Sequence, residues 1–213
     1  MNAELRAELL RRAERDQAAR RAAAGRVAGP GGPAFAAVDA ENLPWLRQVI
    51  AEHGWPGRSL AGADGAHAAW LLAQHADADP AFQRQCLDLL AVAVTAGEAA
   101  GAELAYLTDR VALAEGRPQE YGTQATARDG RWAPSRLRDP DTVDERRAAA
   151  GLEPVAAYLD RMAADYGPPA PAVLQCHQCG RDVEFWLPDE DEELQVECGQ
   201  CGQSSTIRSA VPP

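Results

Sequence analysis

Lysine is absent from this sequence: all 21 basic residues are arginine, and alanine fills the helical stretches. GC-rich codon usage accounts for that pattern more simply than a demand for guanidinium chemistry, so arginine abundance is weak evidence for phosphate binding. Positive charge is also scarce. With 32 acidic residues the formal net charge is -11, which repels nucleic acid and anionic membrane at long range. Long apolar runs are missing too. Met1 to Arg26 carries seven arginines and four acidic residues and has no signal-peptide core. Nothing elsewhere approaches the roughly 20 apolar residues that span a bilayer. A cytoplasmic home is the expectation. Aromatic residues are only 6%, yet hydrophobic residues reach 46% and charged residues 25%, the profile of a folded globular chain. A length of 213 residues suits one mid-sized domain and a small appended module, and excludes a multi-enzyme array.

The fold class expected is mainly α, a multi-helix N-terminal domain followed by a small β zinc-ribbon module. Leu5, Leu9 and Leu10 lie at helical spacing among charged residues, which predicts an amphipathic helix over residues 1–24. Residues 25–33 (GRVAGPGGP) read as a flexible connector. A second helix is predicted from Leu43 to His53, and a third, capped by Asp64, carries Trp70, Leu71 and Gln74 to His75. Asp79-Pro80 supplies an N-cap and a first-turn proline for the next, with Phe82, Cys86, Leu89, Leu90 and Ala93 on its apolar face and Gly97 at its end. Leu104, Leu107 and Val111 repeat the pattern. Thr142 and Glu145 have capping-box spacing for a short helix, and a further helix starts at Pro154. The loop from Arg117 to Arg138 has room for a hairpin. Residues 1–165 thus read as an all-α domain, 166–172 as a proline-rich linker and 173–213 as a separate module.

Cys176-x2-Cys179 and Cys198-x2-Cys201 enclose 18 residues, the spacing of a four-cysteine zinc site. Gly180, Gly199 and Gly202 permit the tight turns that aim paired thiolates inward. Val183, Phe185 and Leu187, then Leu194 and Val196, alternate with polar residues, which predicts a hairpin between the cysteine pairs, and Ser205 to Ser209 a third strand. One structural Zn²⁺ held by Cys176, Cys179, Cys198 and Cys201 is the expectation, because four thiolates close the coordination shell. Two alternatives stand beside it: His177 as a competing ligand, and a pair of disulfides in place of a metal. From Ala172 to Pro213 eight acidic residues face two arginines, a net charge of -6. A protein partner is therefore expected for this module in preference to nucleic acid.

Several polar segments remain: Asp16-Gln17-x-x-Arg20, Asp39-x-x-Asn42, Gly54-Trp55-Pro56, Ala69-Trp70-Leu71-Leu72-x-Gln74-His75-Ala76-Asp77, Leu107-Thr108-Asp109-Arg110, Gln119-x-Tyr121-Gly122-Thr123-Gln124 and Arg146-Arg147-x-x-x-Gly151-Leu152. In order and content this set resembles a bacterial family known as domain of unknown function 6624, over roughly residues 4–160. The resemblance implies no activity, and it leaves the cysteine module outside the shared region.

Each of these residues has a bland reading. His75 at a helix end suits the helix dipole; Asp77 and Asp79 suit a turn and an N-cap; Asp16 and Arg20, four apart, suit a solvated ion pair. Arg110 suits either a buried ion pair or an anion clamp, Cys86 an inert core thiol, and His53 and His67 structural places. The sharper reading is an enzyme pocket with His75 as general base, Asp109 orienting it, Arg110 stabilising an anion, and Tyr121 with Gln119 and Gln124 touching substrate. Gln17, Gln74 and Thr123 join Gln119 and Gln124 as candidate ligand contacts. The leading expectation is an interaction or ligand-binding protein with a structural zinc ribbon, and the enzyme is its rival.

Overall fold

The computed structural model describes residues 1–23, 35–186 and 193–208. The 25–33 connector and the turn around Leu187 lie outside these residues. The chain divides into two compact units, Met1–Val111 and Ala112–Pro213, so the proline-rich stretch falls inside the second.

Among the described residues five helices build the first unit: α1 (Ala3–Ala23), α2 (Phe35–His53), α3 (Arg58–Gln74), α4 (Pro80–Thr95) and α5 (Gly101–Ala114), the last running across the boundary. Leu5, Leu9 and Ala13 form the buried stripe of α1 and meet Leu46, Val49 and Ile50 of α2 and an alanine-rich face of α3 in one core. A small residue on α3 lets α1 approach closely: a Cβ on Gly65 would stand 3.3 Å from Cγ and 3.7 Å from Cα of Arg6. Leu9 and Leu46 are almost fully buried, each contributing about 1.5–3 kcal/mol of apolar transfer.

Helix α2 begins at Phe35, well before the predicted Leu43, and runs through Pro44. The proline removes one backbone donor but leaves the flanking turns helical. Helix α3 also starts early and breaks at Gly62, where φ is 74°, so the segment after Asp64 is its second half. Asp79 caps α4 as predicted, accepting from Phe82 N at 3.0 Å. Among the described residues no helix is long and apolar enough to cross a membrane.

In the second unit β1 (Ala125–Arg128) and β2 (Arg131–Pro134) form the hairpin for which the loop had room. Asp129 and Gly130 both take positive φ at its tip, the signature of a tight Asp-Gly hairpin turn. Two helices follow, α6 (Val143–Ala149) and α7 (Val155–Tyr166). Thr142 makes no side-chain cap bond. Instead a short 3-10 turn, Pro140–Thr142, leads into α6, and the Thr142 hydroxyl accepts from Arg146 Nη1 at 2.6 Å.

Four short strands complete the unit: β3 (Ala172–Gln175), β4 (Asp182–Phe185), β5 (Glu193–Glu197) and β6 (Ser204–Arg208). Among the described residues β3 pairs with β4 and β5 with β6, both antiparallel, as two separate sheets. The predicted β4–β5 hairpin is therefore corrected. Each Cys-x2-Cys segment is itself a hairpin turn, so the strands that flank it pair. β3 went unforeseen because it begins within the stretch read as linker.

Candidate functional sites

The stripe that buries Leu5, Leu9 and Ala13 ends on Asp16, which is 0% exposed. A carboxylate on the apolar side of a helix needs partners, and it has three. Gln17 donates to Oδ2 at 2.9 Å, Arg20 Nε reaches Oδ1 at 3.2 Å, and Nδ1 of His75 lies 2.9 Å from Oδ2. Arg20 turns its Nη2 to both oxygens of Asp39, at 2.7 and 2.9 Å, and stacks on the Phe35 ring at 4.5 Å. The pair read as solvated is thus the centre of a buried cluster joining α1, α2 and the end of α3. The carboxylate on His75 is Asp16, while Asp109 is fully buried on α5.

The two carboxylates sit in different electrostatic surroundings. Burial is the largest influence on Asp16 and pushes its pKa up, but the hydrogen bond and charge of His75, the charge of Arg20 and the Gln17 amide together hold it below its ordinary value. Burial also dominates at Asp39, and there Arg20 and His75 do not overcome it, so its pKa is raised. Asp16, Asp39 and His75 each place one ligand atom within 4.8 Å of the others.

A second polar group stands at the same end of α3. Arg110 Nε donates to Gln74 Oε1 at 3.1 Å, and Arg110 Nη1 to Asp77 Oδ2 at 2.9 Å. Gln83 of α4, almost fully buried, covers the carbonyls of Ala73 and Gln74 at 3.2 and 3.1 Å and reaches Asp77 at 3.0 Å. Nε2 of Gln74 is buried without a hydrogen-bond partner among the described residues. Such a donor costs about 1–3 kcal/mol unless water or a ligand accepts from it.

In the second unit the Gln119–Gln124 segment is braced from all sides. Gln119, 0% exposed, donates to the Gln124 carbonyl at 3.0 Å and accepts from the Gln124 amide at 2.8 Å. Arg146 holds the Glu120 carbonyl at 2.7 Å, Arg147 that of Tyr121 at 2.7 Å, and Tyr158 Oη that of Thr123 at 2.7 Å. Gly122 has φ 66°. These bonds use Gln119 and the loop's backbone for architecture.

The four cysteines cluster at the junction of the two small sheets. Their turns repeat the same bonds: Cys176 N to Arg181 O at 2.8 Å and Gly180 N to Cys176 O at 2.8 Å in one, Cys198 N to Gln203 O at 2.9 Å and Gly202 N to Cys198 O at 2.8 Å in the other. Positive φ at Gly180 and Gly202 closes both. The Sγ atoms of Cys176 and Cys201 are 3.6 Å apart, those of Cys179 and Cys198 3.7 Å, and all four lie within 4.8 Å of one another. A disulfide needs about 2.05 Å, and all four are free thiols. Backbone amides of Gln200 and Cys201 bring the Cys198 thiol down to about 6. Cys201 is pushed up to about 12, since burial and the neighbouring thiols outweigh the amide of Gln203. The set can hold a metal ion.

A mainly helical chain with a four-cysteine appendage is the class these features define. The chain belongs to the Family of unknown function (DUF6624), whose model matches residues 3–169. The clusters at His75, Gln74 and Gln119 fall within that match and the cysteines beyond it. No curated protein and no solved structure matches the chain.

Proposed function

We propose that the C-terminal module is a zinc ribbon and that its single Zn²⁺ is structural. The observation that supports this is the sulfur spacing. Thiolates about 2.3 Å from a tetrahedral zinc stand about 3.8 Å apart, against 3.6 Å for Cys176–Cys201 and 3.7 Å for Cys179–Cys198 here. Four sulfurs from two equivalent turns close the shell and leave no position for a substrate. Two-stranded sheets of four or five residues are marginal alone, so coordination supplies much of the module's folding energy.

A structural ion leaves the module's surface to do its work. Its negative charge suits a protein partner presenting basic residues and disfavours nucleic acid. Retention of the chain on DNA or RNA at low salt would contradict that part of the reading.

The zinc reading is tested on reduced, full-length protein. Elemental analysis is expected to give one zinc per chain. Cys198→Ser should release it and leave residues 172–208 open to proteolysis while the helical circular dichroism persists. Metal-free reduced protein, or a Cys198→Ser tail as protease-resistant as the original, overturns the proposal.

A further inference from the structure

The cluster at the end of α3 has more acceptors than donors. Asp16 and Asp39 bring two carboxylates to the residue closing α3, Arg20 is the one guanidinium bonded to both, and Asp16 is fully buried. The contacts of His75 show the same surplus. Its Nδ1 lies 2.9 Å from Asp16 Oδ2 and 3.0 Å from Arg20 Nε. One nitrogen of a neutral ring cannot both donate to the carboxylate and accept from the guanidinium. Whichever role it takes, one of the two contacts becomes repulsive.

We infer that Asp16, Asp39 and His75 form a second metal site, which takes a first-row divalent cation through two carboxylates and an imidazole. A cation placed on the Nδ1 lone pair and the carboxylate oxygens removes the conflict. The three ligand atoms come from α1, α2 and the residue closing α3, and their mutual distances stay within 4.8 Å. Both carboxylates already have the outer hydrogen bonds that orient metal ligands: Gln17 on Asp16 at 2.9 Å and Arg20 on Asp39 at 2.7 Å. Oxygen and nitrogen donors without sulfur suit manganese, iron or zinc. Three protein ligands leave further positions for water or a bound molecule, unlike the closed cysteine site.

Arg20 is the resident cation and the metal's competitor. Its Nη2 bonds to Asp39 are short, at 2.7 and 2.9 Å, whereas Nε stands 3.2 and 3.4 Å from Asp16. A metal would replace these Nε contacts together with the 3.0 Å bond from Nε to His75 Nδ1, while the guanidinium keeps Asp39 and its Phe35 stack. Removing Arg20 should therefore strengthen metal binding, whereas a network that is only structural gains nothing from its loss.

The test uses full-length protein carrying one zinc per chain, titrated with Mn²⁺ and read by electron paramagnetic resonance, with zinc counted in the same samples. One Mn²⁺ per chain is expected beyond the zinc. His75→Ala and Asp39→Asn should weaken it at least about tenfold, as loss of even an outer partner does. Arg20→Gln should tighten it about tenfold through the removed charge. Circular dichroism confirms that each variant is folded. Folded wild-type protein that binds no Mn²⁺, binding unchanged by His75→Ala, or weaker binding in Arg20→Gln each overturns the inference. Zinc counts in the same samples report on the cysteine site separately.

Discussion

Replacing Asp16 by Asn keeps the shape of the side chain and removes its charge from a place with no access to water. The carboxylate faces three donors: Gln17 at 2.9 Å, Arg20 at 3.2 Å and His75 at 2.9 Å. Asn offers one acceptor oxygen and turns an NH₂ toward the rest. Hydrogen bonds to a charged group contribute about 1.5–3 kcal/mol each, and breaking a buried ion pair costs about 3–5 kcal/mol. Arg20 keeps Asp39 in the variant, and the desolvation of a buried carboxylate is relieved, so the net loss should be about 2–4 kcal/mol. Urea titration would show this as a midpoint lowered by about 1 M or more.

The pH dependence has a definite sign. Because the folded protein holds the Asp16 pKa below its ordinary value, the charge contributes stability that is present above the unfolded pKa and is lost as pH falls through the folded one. The gap between wild type and Asp16→Asn should be widest near neutrality and close on acidification. A double-mutant cycle with His75→Ala should return a coupling of about 1 kcal/mol or more. A loss under about 0.5 kcal/mol at neutral pH, independent of pH, is what a surface pair gives, and it would refute the buried cluster.

Three further outcomes can be checked. Cys86 is fully buried and burial pushes its thiol up to about 12, so in zinc-loaded protein it should resist thiol reagents until urea unfolds the helices. Gly122→Ala puts a side chain on a residue with φ 66°, with its Cβ 3.3 Å from Leu137 and Pro134, and should cost about 1–3 kcal/mol in urea titration. Gly151→Ala, at φ 76° in open space, should cost only the backbone share of about 1 kcal/mol.

Some of this was legible in the residues and some was not, for reasons of range. The cysteine cluster could be read because its ligands lie within two short turns, where spacing fixes geometry. The Asp79-Pro80 start of α4 and the glycine after it are likewise local signals. Strand pairing in the tail was misread because alternation marks strands without saying which neighbours pair. In the sequence Asp16 reads as solvated because an i,i+4 acid and arginine look alike on either face of a helix. Only the continuation of the Leu5, Leu9, Ala13 stripe to position 16 separates the two cases, and that clue was in the sequence. His75 meets Asp16 across 59 positions of chain, a distance at which no spacing rule operates. For the same reason Asp109 was nominated as its partner.

The two sheets of the tail share no hydrogen-bonded ladder among the described residues, so under the proposed zinc reading each half is an open jaw until the ion joins them. During synthesis the first jaw must wait for residues 198–201 to leave the ribosome before anything can be gripped. Under that reading, maturation of the tail is timed by metal supply as well as by translation.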